Sequence, residues 1–150
     1  MPGETGVFFH QEDLNFQLGD EARISVWLQE VIRAEEGHPG EVNVIFCSDP
    51  FLLDLNQRYL QHDTLTDIIT FPQEGEAVSG DLYISIDRVR DNAATFEVPF
   101  DQELRRVMVH GVLHLCGYDD GSPEEKAAMR AQEDHYLAGL AAGYPEGGTH

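Results

Sequence analysis

Residues 102–118, QELRRVMVHGVLHLCGY, organise the reading of this chain. Leu104, Val107, Met108, Val112 and Leu115 recur at three- and four-residue spacing, the period of an α-helix with a broad apolar face. Gly117 ends the run where a glycine lets the backbone turn sharply. Within the helix His110 and His114 stand four residues apart and so share a face. Past the stop, Tyr118, Asp119 and Asp120 are positioned to fold back toward that face. A helix this apolar must be enclosed by other elements.

The flanking sequence supplies them. DEARISVWLQEVIRAEE (20–36) sets Ile24, Trp27, Leu28, Val31 and Ile32 at helical spacing behind an acidic first turn. EVNVIFCS (41–48) alternates like a strand and leads through Asp49-Pro50 into LLDLNQRYL (52–60), a second helix expected to pack through Leu52, Leu55 and Tyr59. TDIITFP (66–72) and GDLYISI (80–86) are two further short strands, with QEGEAVSG (73–80) as their connecting loop. Helix resumes in RVRDNAATF (88–96). A last helix opens with Ser122 as N-cap, Pro123 at its first position and Glu125 completing a capping box, and runs toward Leu140. The tail 142–150 is expected to fray. The expected fold is α+β: one domain over residues 1–150, with a mixed sheet of three to four strands packed with about five helices.

At 150 residues and 16.8 kDa the chain can enclose a core without covalent staples. Its 41% hydrophobic and 25% charged residues are globular proportions, and no apolar run approaches the roughly 20 residues of a membrane span. No basic leader precedes an apolar stretch, so a cytoplasmic location is expected, and Cys47 and Cys116 are expected as reduced, buried side chains. The charge is unusual: 28 acidic residues face eight Arg and a single Lys, Lys126, for a net charge of −19 and a pI near 4.4. Such a field repels polyanions on average. It suits a salty cytoplasm, where repulsion is screened within about 3 Å at 1 M salt.

A pair of His four apart proves little alone, since a shuffled chain with seven His yields roughly 0.3 such pairs. A buried helix with two hydrogen-bonded histidines and capping carboxylates accounts for the same residues. The alternative is metal chemistry: His110, His114 and Asp120 would hold one zinc ion and leave a fourth position for water. Zinc lowers the pKa of that water toward about 7, which serves phosphodiester or amide hydrolysis equally. The peptidase pattern His-Glu-x-x-His is not met, because Gly111 stands where the general base belongs. Two His and a carboxylate also suit an open Fe(II) site.

The run His110-Gly111-Val112-Leu113-His114-Leu115-Cys116-Gly117-Tyr118-Asp119-Asp120 resembles the signature of the YbeY family, His-Gly-x-Leu-His-Leu-x-Gly-Tyr-Asp-His. Leu55-Asn56, Tyr59, Asp63, Thr66-Asp67 through Phe71-Pro72, and Gly80-Asp81 follow the family's order. The resemblance covers about residues 40–135 and departs from the pattern at two places. Asp120 stands at the usual third His ligand, and Leu60 stands where many relatives have an Arg after the Tyr. The resemblance implies a zincin-like metal helix carrying His110 and His114, in a zinc-dependent endoribonuclease that cuts single-stranded RNA and acts in 3′-end maturation of 16S rRNA and in ribosome quality control at the small subunit. Another zinc hydrolase, peptidase-like, or a non-catalytic ribosome-associated metalloprotein are the competing readings.

Further residues have two readings each. His62 and Asp63 lie in a polar turn and are either loop residues or groups that approach the metal. Glu133 and His135 are placed to support the ligands from the last helix. Asp119 and Glu133 are carboxylates near enough for a base, and neither is assigned as catalytic. Arg88, Arg90, Arg105 and Arg106 flank the metal helix as an RNA patch or as partners of surface carboxylates. Tyr59, Phe71, Tyr83 and Phe96 are base-stacking or core aromatics. Cys116 lies two residues from His114 and therefore on another face.

Overall fold

The computed structural model describes residues 5–60 and 66–141. His62, Asp63 and the tail 142–150 lie outside the described residues. Four strands form one sheet in the order β1 (Gly6–Gln11), β2 (Pro39–Cys47), β4 (Val78–Ser85), β3 (Ile68–Gln73). β1 and β4 both run parallel to β2, while β3 is antiparallel to β4. The mixed sheet follows from the connections. Helix α1 (Glu21–Ala34) joins β1 to β2 as a crossover, and a short turn at residues 74–77 makes β3 and β4 a hairpin.

The strand β1 is absent from the sequence reading. GVFFHQ is six residues long and lies on the sheet edge, and it gains its strand identity from pairing Phe9 with Val44 and Gln11 with Phe46 on β2. The second helix also differs. α2 covers Asp49–Leu55, capped by the Ser48 hydroxyl, which accepts from the Phe51 amide at 3.3 Å. Residues Asn56–Leu60 then wind as a wider π-helical turn. That widening rotates Tyr59 out of the expected core, leaving it 63% exposed with its ring edge against Phe71.

The main core lies between the sheet and four helices: α1, α3 (Ile86–Phe96), α4 (Phe100–Leu115) and α5 (Pro123–Ala141). All five apolar residues expected on the inner face of α1 are fully buried. Trp27 also donates its indole N–H to the Tyr136 carbonyl at 3.1 Å. On the opposite sheet face α2 covers a smaller cluster of Cys47, Leu52 and Ile69, with Phe71 and Tyr83 packed beside it. α4 crosses the sheet closely because residue 111 has no side chain. A Cβ there would lie 2.7 Å from Ile68 Cδ1 and 3.0 Å from Leu82 Cδ1. Gly111 is thus a packing residue, and its position faces the sheet rather than the surface carrying the histidines. The predicted capping box of α5 forms, with the Glu125 amide donating to Ser122 Oγ at 3.1 Å and the Ser122 amide donating to the Glu125 carboxylate at 3.0 Å.

Candidate metal centre

The end of α4 positions the site. Cys116 is its last helical-type residue, and Gly117 adopts φ 110°, a conformation that favours glycine. The Gly117 amide donates to the His114 carbonyl and the Tyr118 amide to the Leu113 carbonyl, each at 3.0 Å, which is a Schellman closure. The chain is thereby reversed. The Tyr118 carbonyl comes within 2.9 Å of His114 Nδ1, and Asp120 arrives beside both imidazoles.

Each imidazole is oriented through its Nδ1. His110 Nδ1 donates to Glu133 Oε2 at 2.6 Å, and His114 Nδ1 to the Tyr118 carbonyl. Both Nε2 atoms are left as acceptors, as a metal requires. Asp120 Oδ2 lies 3.4 Å from His110 Nε2 and 3.6 Å from His114 Nε2, and one ligand atom from each residue falls within 4.8 Å of the others. A tetrahedron with bonds of about 2.0 to 2.2 Å has donor atoms about 3.3 to 3.6 Å apart, so the carboxylate fits a shared ion. Among the described residues this is the one His/Cys/Asp/Glu group that can hold a metal. The set can hold one ion with room left for a non-protein ligand.

Glu133 is committed twice. Its Oε1 accepts from Arg106 Nη1 at 2.9 Å while Oε2 holds His110, and its side chain is only 6% exposed. Burial pulls the pKa of the His110 imidazole down, but the hydrogen bond and charge of Glu133, with Asp120 and Asp67, carry it above the ordinary value. Glu133 therefore supports the ligand set as expected for that position, whereas His135 packs its ring on Tyr136.

A second brace lies behind the turn. The Tyr118 hydroxyl donates to Glu35 Oε1 at 3.0 Å, and Gln132 and Tyr136 donate to Glu35 Oε2. Glu35 thus ties the end of α1 to the metal turn and to α5. Burial and then the Glu35 bond push the Tyr136 hydroxyl above its ordinary pKa. Nothing in the local sequence around Glu35 signals this contact.

Asp67, quoted in the sequence only as part of a resemblance, stands at the start of β3 in the wall of two clefts that meet at the metal site. Burial raises its carboxyl above the ordinary range, the His110 charge opposing, and Asn92 donates to its Oδ2 at 3.3 Å. One cleft, of about 370 Å³, runs along α4 toward Glu103; the other, of about 560 Å³, passes Asn56, Leu60, His114 and Asp119. The apolar Leu60, 44% exposed, occupies the second cleft at the place where the sequence departs from its resemblance. Asp119 is exposed on the same cleft.

Of the two readings of the arginines, pairing with carboxylates is the one the structure shows for Arg88 and Arg106. Arg88 is paired with Asp49 and Asp91, and Arg106 with Glu133 and Asp134, while Arg90 lies over the Phe100 ring. A chain with three times as many acids as bases satisfies these arginines internally. Phe71 and Tyr83 are likewise taken by the small cluster, whereas Tyr59 and Phe96 remain exposed. Burial pushes the thiol of Cys116 up to about 11 and that of Cys47 up to about 12, and neither thiol joins the metal-capable group among the described residues.

The family model described as Endoribonuclease YbeY matches residues 8–141. An Endoribonuclease YbeY of Flavobacterium psychrophilum is 50% identical over 126 residues, 83% of this chain and 90% of that protein. Its counterpart in Amoebophilus asiaticus is 45% identical over 139 residues, covering 91% and 94%. The solution structure of a Thermotoga maritima protein is similar with a TM-score of 0.64 and 29% identity, over 95% of this chain and 97% of that one.

Proposed function

The chain belongs to the YbeY family of endoribonucleases, and from that premise we propose that it cleaves single-stranded RNA with one zinc ion held by His110, His114 and Asp120. The reading extends to 3′-end maturation of 16S rRNA and quality control at the small ribosomal subunit, in the cytoplasm. No helix among the described residues is long and apolar enough to cross a membrane. The observation that carries the proposal is the convergence of two imidazole Nε2 atoms and one carboxylate oxygen where two clefts meet. An extended strand of RNA can approach such a site from both sides.

When bound, the ion supplies Lewis acidity, activating water and offsetting charge that develops on the phosphoryl oxygens. The protein does the rest. Glu133 and the Tyr118 carbonyl keep both imidazoles in the tautomer that presents Nε2. Asp120 adds negative charge, which favours a divalent cation over an exposed imidazole pair. Asp67, in the wall of both clefts with its carboxyl raised above the ordinary range by burial, is the group placed to pass a proton to the departing oxygen. The peptidase alternative lacks a base at residue 111, since that backbone lies against Ile68 and Leu82.

Metal analysis of the purified protein beside His114→Ala, each assayed on single-stranded RNA at low and high salt, tests this. About one zinc per chain, lost in the variant together with cleavage, is the expected result. Equal metal in both proteins removes the ligand assignment, and bound zinc without cleavage at any salt removes the nuclease.

A further inference from the structure

The smaller cleft is built in a way that metal binding does not explain. Glu103, Arg106, Val107 and His110 follow one another along a single face of α4, so this wall leads from the start of the helix to the metal ligand. Phe96 of α3 stands opposite, and Lys126, Met129 and Arg130 of α5 form the third side.

Three features stand out. The interior is partly apolar, lined by the buried Val107 and Met129 and by Phe96, which is 56% exposed. Glu103 is only 5% exposed, yet its side chain accepts no hydrogen bond from any described residue. Burial and then the charge of Asp67 raise its carboxyl above the ordinary range, with Arg106 and Arg130 opposing through space. The carboxylate lines the cleft with no donor from the described residues, so its oxygens are available to N–H groups from outside the chain. Lys126 and Arg130 lie one turn apart on α5, both exposed, and neither forms a salt bridge with a described residue. In a chain of net charge −19, two such cations on one helix face mark a place for an anion.

Resting on the nuclease reading, we propose that this cleft is a guanine-selective subsite for the nucleotide flanking the scissile phosphodiester. Lys126 and Arg130 hold its phosphate, Phe96 and Met129 cover the base, and Glu103 accepts from the base edge. Guanine is the base that offers two adjacent donors, N1–H and N2–H, to one carboxylate. Adenine and cytosine place a ring acceptor beside their amino group, and uracil flanks its N–H with two carbonyls, which a carboxylate repels. The metal then lies at the inner end of the cleft, beside the next phosphate.

The test uses zinc-loaded protein, with calorimetric binding of GMP, AMP, CMP and UMP and with cleavage sites mapped on a random single-stranded RNA pool. The parent is expected to bind GMP roughly 5- to 150-fold more tightly than the others, the range a bidentate pair provides, and to cut next to guanine. Glu103→Gln should abolish that preference while retaining zinc. Lys126→Ala with Arg130→Ala should weaken all four nucleotides alike and make the salt dependence of single-stranded RNA binding shallower by about 0.7 for each phosphate no longer neutralised. Phe96→Ala, an exposed position that tolerates substitution, should also weaken every nucleotide. A parent that cuts RNA but binds the four nucleotides equally overturns the subsite and leaves the nuclease intact. Guanine binding that depends on Glu103 in a protein that cuts no RNA supports the pocket and removes the nuclease reading instead.

Discussion

Replacing Glu133 by Gln isolates the part of metal affinity that the groups behind the ligands provide. In the parent each carboxylate oxygen faces a donor, Arg106 on one side and His110 Nδ1 on the other. An amide of the same shape offers one oxygen and one N–H₂, so one buried donor must face another. The stability cost is about 1 to 3 kcal/mol for the unsatisfied group. Asp134 still receives Arg106, which keeps the cost near the lower end. Losing the negative charge also lowers the basicity of His110, whose pKa Glu133 and its neighbours raise above 6.5 against the pull of burial. Loss of such a partner lowers metal affinity about 10- to 100-fold. The assay is competition for zinc against a chromophoric chelator at neutral pH, well below the melting temperature of either protein. The metal-free proteins carry a second signature. A histidine whose folded pKa is raised stabilises the fold below pH 6.5, and that contribution is lost as pH rises through the folded value. Glu133→Gln should shrink this pH dependence of the melting temperature. A folded variant with parental zinc affinity would refute the view that Glu133 tunes His110.

The remaining predictions concern other parts of the same assembly. Asp120→Ala should lower zinc content, whereas Asp120→His, which installs the imidazole usual in the resembling pattern, should keep it; metal analysis decides, and equal content in Asp120→Ala would remove that ligand. Gly111→Glu supplies the missing peptidase base in sequence but drives a carboxylate into the α4–sheet contact, so a loss of several degrees in melting temperature is expected rather than peptide hydrolysis. Glu35→Ala frees the hydroxyls of Tyr118 and Tyr136, and weaker zinc binding in a variant that stays folded would show that the brace acts on the metal turn; unchanged affinity would make it purely architectural. Asp67→Asn should lower kcat with zinc content and KM retained, and parental kcat would remove the proposed proton-transfer role of this residue.

Local pattern and tertiary contact contributed differently to what is known of this chain. The apolar spacing of α1 and α4, the Ser122–Glu125 box and the glycine stop at Gly117 are properties of residues within a few positions of one another, and local physics decides them. His110, His114 and Asp120 belong to that class too, because four-residue spacing and a reversed helix end suffice to bring them together. The edge strand β1 had no such signal, since six residues become a strand only by pairing with β2. The exposure of Tyr59 depended on a π-helical turn that periodicity does not reveal. Glu133, 23 residues from His110, and Glu35, 83 from Tyr118, reach the site only through packing of α5 and α1 on α4. The same packing decided which cations stay available. Arg88 and Arg106 are consumed by nearby carboxylates, while Lys126 and Arg130 line the cleft that leads to the metal. Spacing along the chain determined which residues are proposed as ligands; the contacts that orient them and shape the approach to them arise between distant segments, whose meeting only burial of the shared core enforces.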